Sequence, residues 1–324
     1  MKKTIFVKDL KVGSPVTSIF VINEREVRFT KNGKPYMHLC LADRTGYVYA
    51  KIWDSAGIDF DSVPESGPVL ISGKTETFQD AIQIIVEKIS GASVDNLQKE
   101  DFLPALPDED ITKLVKELNK YYARLDCNWC KTLWKTFRSS TELFNKFCET
   151  PGALKIHHPY IGGLLEHTVY VLRLLSSIYP LYPDLDKDIL LTGGLFHDIG
   201  KTKEYVYDWS IDVSDEGRLM GHTVMGVEIV KDLIGRIAGF PEQKAMLIYH
   251  MILSHHREAE YGAARPPMTR EAMVLHFADN LDATLNEMNR IYTETGEGER
   301  WTPYQRNYGS RFFVGALNTS GSTE

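Results

Sequence analysis

The chain has 324 residues, a formal net charge of −7, 43% hydrophobic and 25% charged residues, and a mean hydropathy of −0.25. This composition excludes a disordered chain, and the length predicts two domains. No stretch approaches the roughly 20 apolar residues of a membrane span. Lys8, Asp9 and Lys11 interrupt the start before a signal-peptide core can form. With four cysteines, the expectation is a cytoplasmic protein with reduced thiols and no membrane partner. The acidic balance argues against nucleic acid as a partner, but the charge is unevenly laid. Residues 1–91 carry 12 Lys+Arg against 11 Asp+Glu, and the remainder carries 25 against 33.

The first part predicts five strands, at about 15–22, 36–42, 46–53, 68–76 and 81–89, with a hairpin connection at 43–46. Alternation sorts the side chains. Met37, Leu39, Leu41, Val48, Ala50 and Ile52 form an aliphatic face. Tyr36, His38, Cys40, Tyr47, Tyr49, Lys51 and Trp53 form the opposite one. Aromatic faces stack on unpaired bases while a nearby lysine tracks phosphates. Tyr36, His38, Tyr47, Tyr49, Lys51 and Trp53 are therefore candidate nucleic-acid-binding residues. The competing reading packs Tyr47, Tyr49 and Trp53 against the helical domain or a neighbouring subunit. Five short strands with such a face on the second and third are the pattern of an OB-fold. The segment resembles OB-type nucleic-acid-binding domains in Leu41-Ala42-Asp43-Arg44-Thr45-Gly46 and Ala50-Lys51-Ile52-Trp53. The expected organisation is an all-β OB-fold barrel at 1–91, a linker at 92–110, an all-α bundle at 111–317 and a flexible tail at 318–324.

Beyond the linker, apolar residues recur at helical spacing through 111–125, 164–178, 188–197, 223–238, 243–254 and 271–288, with a short hairpin at 203–212. Nine of the ten histidines lie between 157 and 276. They fall in the series Glu166-His167-Thr168, His197-Asp198-Ile199-Gly200-Lys201, Gly221-His222-Thr223 and Ser254-His255-His256, which Ala278-Asp279-Asn280 completes. Each lies in or beside a helix with apolar neighbours. A histidine or carboxylate buried there needs a partner, because burial unpaired costs several kcal/mol. Several converging on one bundle core most economically share metal ions.

This series resembles the HD-domain phosphohydrolase superfamily, whose signature the run His197-Asp198-Ile199-Gly200-Lys201 matches as it stands. The resemblance implies one metal held by His167, His197, Asp198 and Asp279. It implies a second metal at His222, His255 and His256, with Asp198 as the bridging, catalytic carboxylate. Divalent cations suit an anionic phosphodiester, since they neutralise it, lower the pKa of a bound water and stabilise the departing oxygen. Lys201 and Arg257 are candidates to donate charge-assisted hydrogen bonds to phosphate; glycine is expected at the position of Arg257 in many such proteins. His157, His158, His250 and His276 read as core histidines. Cys127-Asn128-Trp129-Cys130 lacks a second pair, so a zinc or redox role is not expected. Trp301, Tyr304, Tyr308 and Arg311 read as a cap on the bundle.

An OB-fold followed by an HD domain resembles the YhaM-type 3′→5′ exoribonucleases over about residues 8–310. The match includes the linker run Asp101-Phe102-Leu103-Pro104 and the segments 159–167 and 276–283. The resemblance implies hydrolysis of single-stranded RNA, and also DNA, from the 3′ end to nucleoside 5′-monophosphates. Two divalent ions are implied, manganese foremost, with Fe, Co, Mg or Ni as alternatives, and a homo-oligomer is compatible with it. The alternatives are an HD-domain phosphomonoesterase of free nucleotides and a non-catalytic single-strand-binding protein.

Overall fold

In a computed structural model of the chain, the described residues are 3–78, 81–95, 97–154, 158–258, 260, 262–296 and 298–315. His157 and the segment 318–324, expected to be flexible, lie outside them. The chain divides into two compact units. The first comprises Met1–Asp110, Tyr160–Gly162 and Lys203–Leu219; the second comprises Ile111–Pro159, Gly163–Thr202 and Met220–Glu324.

In the first unit, β1 (Pro15–Phe29), β2 (Pro35–Asp43), β3 (Gly46–Trp53), β4 (Gly67–Phe78) and β5 (Ala81–Gly91) form a closed barrel of order β1-β2-β3-β5-β4. This is the OB-fold arrangement. β3 and β5 run parallel, and the other pairs are antiparallel. All five predicted strands are present, but β1 runs seven residues beyond its predicted end. Its first half pairs with β4 and its second with β2, with a register shift between Ile22 and Glu24. A strand shared by both edges closes the barrel, and a bulge supplies the bend. Phe20, Met37, Leu39, Leu41, Ala50, Ile52, Ile71 and Ile84 are fully buried inside. Outside, Ile19 and Val21 pack with Phe102, whose ring meets Trp209 edge-on at 5.6 Å. Trp209 lies between β6 (Tyr205–Tyr207) and β7 (Ile211–Val213), the expected hairpin.

The second unit is helical: α1 (Asp108–Arg124), α2 (Asn128–Ser139), α3 (Thr141–Glu149), α4 (Gly163–Ile178), α5 (Lys187–Phe196), α6 (Lys201–Glu204), α7 (Asp215–Gly235), α8 (Glu242–Ser254) and α9 (Arg270–Glu294). The first residues of α1 and α7 and the last two of α6 fall in the first unit. α5 is buried on every side, which fits its central place, and α4 buries nine residues. Helices α2 and α3 were not anticipated individually. Each is short, and Ser140 alone separates them. Among the described residues, no helix is long and apolar enough to cross a membrane.

Candidate metal centre and aromatic face

The helical unit brings the histidine–aspartate series together. His167 lies on α4, while His197 and Asp198 follow the last turn of α5. His222 follows the kink of α7 at Gly221, His255 and His256 follow α8, and Asp279 lies on α9. Gly200 is required for the approach of α7. A Cβ there would stand 1.8 Å from the His222 carbonyl oxygen.

Three of the rings are turned by a hydrogen bond from Nδ1. His197 donates to the Gly194 carbonyl at 2.9 Å, His255 to that of Ile252 at 2.8 Å, and His167 to Asp282 Oδ2 at 2.7 Å. Their Nε2 atoms then face the cluster, where a neutral imidazole offers its lone pair to a cation. His167 and His197 Nε2 stand 3.1 Å apart, and His222 and His256 Nε2 stand 2.9 Å apart. Asp198 lies between the two groups. Its Oδ2 is 3.6 Å from His167 Nε2 and 3.5 Å from His197 Nε2. Its Oδ1 is 3.5 Å from His222 Nε2 and 3.4 Å from His255 Nε2. Asp279 Oδ1 is 3.1 Å from His167 Nε2. Among the described residues three groups have metal-ligand proximity: Asp198 with His222, His255 and His256; His167 with His197 and Asp279; and, on the other side of the His167 ring, His158 with His167 and Asp282.

The donor set fits a divalent cation. Asp198 Oδ1 and His255 Nε2 are buried without a hydrogen-bond partner, and both point into this cluster. Buried polar atoms left unpaired cost about 1–3 kcal/mol each, and a shared cation removes that cost. Burial holds His197 down to about 4, and burial with the adjacent His255 holds His256 down to about 2, so both imidazoles are neutral ligands at pH 7. Burial also acts on His167, but hydrogen bonds to Asp279 and Asp282 raise it to about 10. The carboxylates that attract a proton there attract a cation in the same way. Burial opposes ionisation of Asp198, yet the Lys201 ammonium keeps its carboxyl well below the ordinary range.

Lys201 is turned inward. It is only 4% exposed, and its Nζ donates to Asp198 Oδ2 at 2.6 Å and to the Gly152 carbonyl at 2.7 Å. In this arrangement it pairs with the central carboxylate. Arg257 turns its half-exposed guanidinium to Glu258 at 3.2 Å. Its backbone has φ +65°, the left-handed region that favours glycine. Sequence reading also set His158 aside as a core histidine, and it did not single out Glu166 or Asp282. These three form a buried hydrogen-bonded layer behind His167. The available signal was spacing, since Asp282 lies one helical turn after Asp279. Cys127 and Cys130 are free thiols, and burial pushes Cys130 up to about 12. Trp301 pairs with Phe313, while the Tyr308 hydroxyl donates to Glu287 on α9 at 2.5 Å.

On the barrel, β2 and β3 place the six expected residues together. Tyr36 pairs with Trp53, His38 with Lys51, and Ala42 with Tyr47 in the strand register. Tyr36 and Trp53 rings lie 5.2 Å apart, His38 and Tyr49 5.1 Å, and Tyr47 and Tyr49 5.7 Å. Tyr47 is 60% and Tyr49 43% exposed. Lys51 Nζ sits 5.6 Å from the Trp53 ring and 4.0 Å from Phe78, an exposed ring that the shorter predicted β4 had left out.

A barrel of this strand order, joined to a helical unit with this His–Asp centre, defines an OB-fold protein with an HD-type metal centre. The HD domain family matches residues 164–284, which span the whole series from His167 to Asp279. The 3′-5′ exoribonuclease YhaM of Bacillus subtilis (strain 168) is 31% identical over 291 residues, covering 89% of this chain and 91% of its own. The protein of the same name from Halalkalibacterium halodurans is 32% identical over 303 residues, covering 89% of each. The second OB-fold domain of replication protein A from Methanococcus maripaludis is 18% identical with a TM-score of 0.22, covering 29% of this chain and 100% of its own. The chain belongs to the YhaM 3′-5′ exoribonuclease family.

Proposed function

We propose that the protein is a metal-dependent 3′→5′ exoribonuclease that hydrolyses single-stranded RNA, and also single-stranded DNA, to nucleoside 5′-monophosphates in the cytoplasm. The observation that carries this is Asp198, whose two oxygens face separate histidine groups. That arrangement supports two divalent ions, with Mn²⁺ foremost. His167, His197 and Asp279 would hold one, and His222, His255 and His256 the other, with Asp198 common to both. Cations held there supply neutralisation of the phosphate and activation of water. The chain's own contribution is positioning. Lys201 fixes Asp198, the backbone carbonyls of Gly194 and Ile252 fix the His197 and His255 tautomers, and the low-dielectric surroundings strengthen each interaction. The strand would be held by stacking on Tyr36, Tyr47, Tyr49 and Trp53, with Lys51 beside the phosphates and His38 in the same face.

The test uses purified protein, Mn²⁺ and a 5′-labelled single-stranded RNA. The expected result is a ladder shortening from the 3′ end with release of 5′-mononucleotides. Intact RNA alongside hydrolysed free nucleotides would instead identify a phosphomonoesterase. Tight RNA binding with no hydrolysis would identify a binding protein.

A further inference from the structure

His158 is fully buried, and its backbone has φ +50°, a region that costs a non-glycine residue about 1–2 kcal/mol. Three contacts hold it there. Its N–H donates to Asn286 Oδ1 at 2.9 Å, and its carbonyl accepts from the Gly152 N–H at 2.9 Å. A Cβ on Gly163 would stand 2.2 Å from that same carbonyl oxygen, so the first residue of α4 must be glycine for His158 to lie so close. Strain maintained by several surrounding residues points to a function for the strained one.

What that conformation achieves is visible in the ring. His158 Nδ1 is 2.8 Å from Glu166 Oε2, and Nε2 is 3.0 Å from Asp282 Oδ2. Asp282 Oδ2 is also the acceptor for His167 Nδ1 at 2.7 Å. A continuous line therefore runs Glu166–His158–Asp282–His167, ending at the Nε2 atom that faces Asp198 and Asp279. Asp279, Asp282 and Asn286 lie on one stripe of α9, at spacings of three and four residues. One helix face thus presents a cluster carboxylate, the carboxylate behind it and the amide that fixes His158.

We propose that Asp282 and His158 are positioning residues of the metal centre, and this rests on the metal-centre reading above. Asp282 fixes the tautomer and ring plane of His167 so that Nε2, and not Nδ1, faces the cation. His158, anchored by Glu166 and Asn286, fixes Asp282. Carboxylates behind ligating histidines typically change metal affinity about 10–100-fold when removed.

The experiment titrates Mn²⁺ into full-length wild-type and D282N chains, by calorimetry and by the electron paramagnetic resonance signal of free Mn²⁺. D282N is expected to bind about 10–100-fold more weakly while its circular dichroism stays unchanged. Its RNA hydrolysis should be restored by excess Mn²⁺, which no merely structural defect would allow. The variant H158Q, measured in the same way, should lose about 10-fold. Binding of Mn²⁺ by both folded variants within about 2-fold of wild type would overturn the proposal. So would failure of both to fold, which would make the two residues structural. A wild-type chain that binds no divalent metal would instead overturn the metal-centre reading itself.

Discussion

Asp198 has its carboxyl shared among four imidazoles and the Lys201 ammonium, and it is 1% exposed. Its replacement removes the group common to both ligand sets. D198A should reduce hydrolysis at least about 10³-fold, while single-stranded RNA affinity measured at the same salt changes less than about 2-fold. Surviving hydrolysis would exclude the shared role. Arg257 makes a prediction about stability. Its backbone is in the left-handed region, and its side chain contacts only a neighbour in the described geometry. R257G should raise stability by up to about 1 kcal/mol, read as a higher Tm, and a fall in its hydrolysis would mark Arg257 as a phosphate contact. The identities of the ligand candidates were legible because they recur as short motifs beside apolar helices. The inward turn of Lys201 was not. A lysine three residues after an aspartate reads equally as a surface cation until the packing around Gly152 is known.

At the scale of elements, the β2–β3 face presents rings set by register, which would serve as a stacking platform under the proposed function. W53A should weaken binding of a long single strand about 10-fold, since base–aromatic stacking contributes about 1–3 kcal/mol per base. Hydrolysis of a dinucleotide should be unchanged; equal losses on both substrates would argue against a separate platform. α1 and α4 are tied by Arg173, which donates to Glu117 through Nε and Nη2, each at 2.8 Å. The Arg173 hydrogen bonds hold the Glu117 carboxyl down to about 2. Because that value lies below the unfolded one of 4.5, the pair stabilises fully above about pH 4.5 and loses this as pH falls toward 2. With Arg173 half-exposed, the gain is about 1 kcal/mol. The Tm difference between wild type and E117Q should therefore shrink between pH 5 and about pH 3. Strands and long helices were legible from their two periods. Helices α2 and α3 were harder, because 12 and 9 residues give only a few turns in which a period can show.

At the scale of the molecule, a cation bound to the folded helical unit alone stabilises that unit by mass action. The amount is about 2.7 kcal/mol at a metal concentration 100 times Kd. Chelation should lower the unfolding temperature of the helical unit and leave the β signal of the barrel in place. Coincident shifts of both signals would show that the units unfold together. The net charge of −7 also changes meaning at this scale. Several of the helical unit's carboxylates, Asp198, Asp279 and Asp282 among them, line one buried cluster, so they are offset locally and are not a surface that repels RNA.

Sequence alone determined the two-part organisation of texture, the five barrel strands with their inward and outward faces, and the roster of ligand candidates. Each of these follows from local periodicity or from residue types that chemistry uses for few purposes. Only the tertiary structure decided which oxygen of Asp198 faces which histidine, that Lys201 turns inward, and that His158 and Asp282 stand behind His167. Those facts depend on close approaches between segments distant along the chain, such as Asp282 against His167 across 115 positions and Lys201 against Gly152 across 49. No period along the chain records a contact made across a bundle, because the contact is set by how helices pack and not by what precedes each residue.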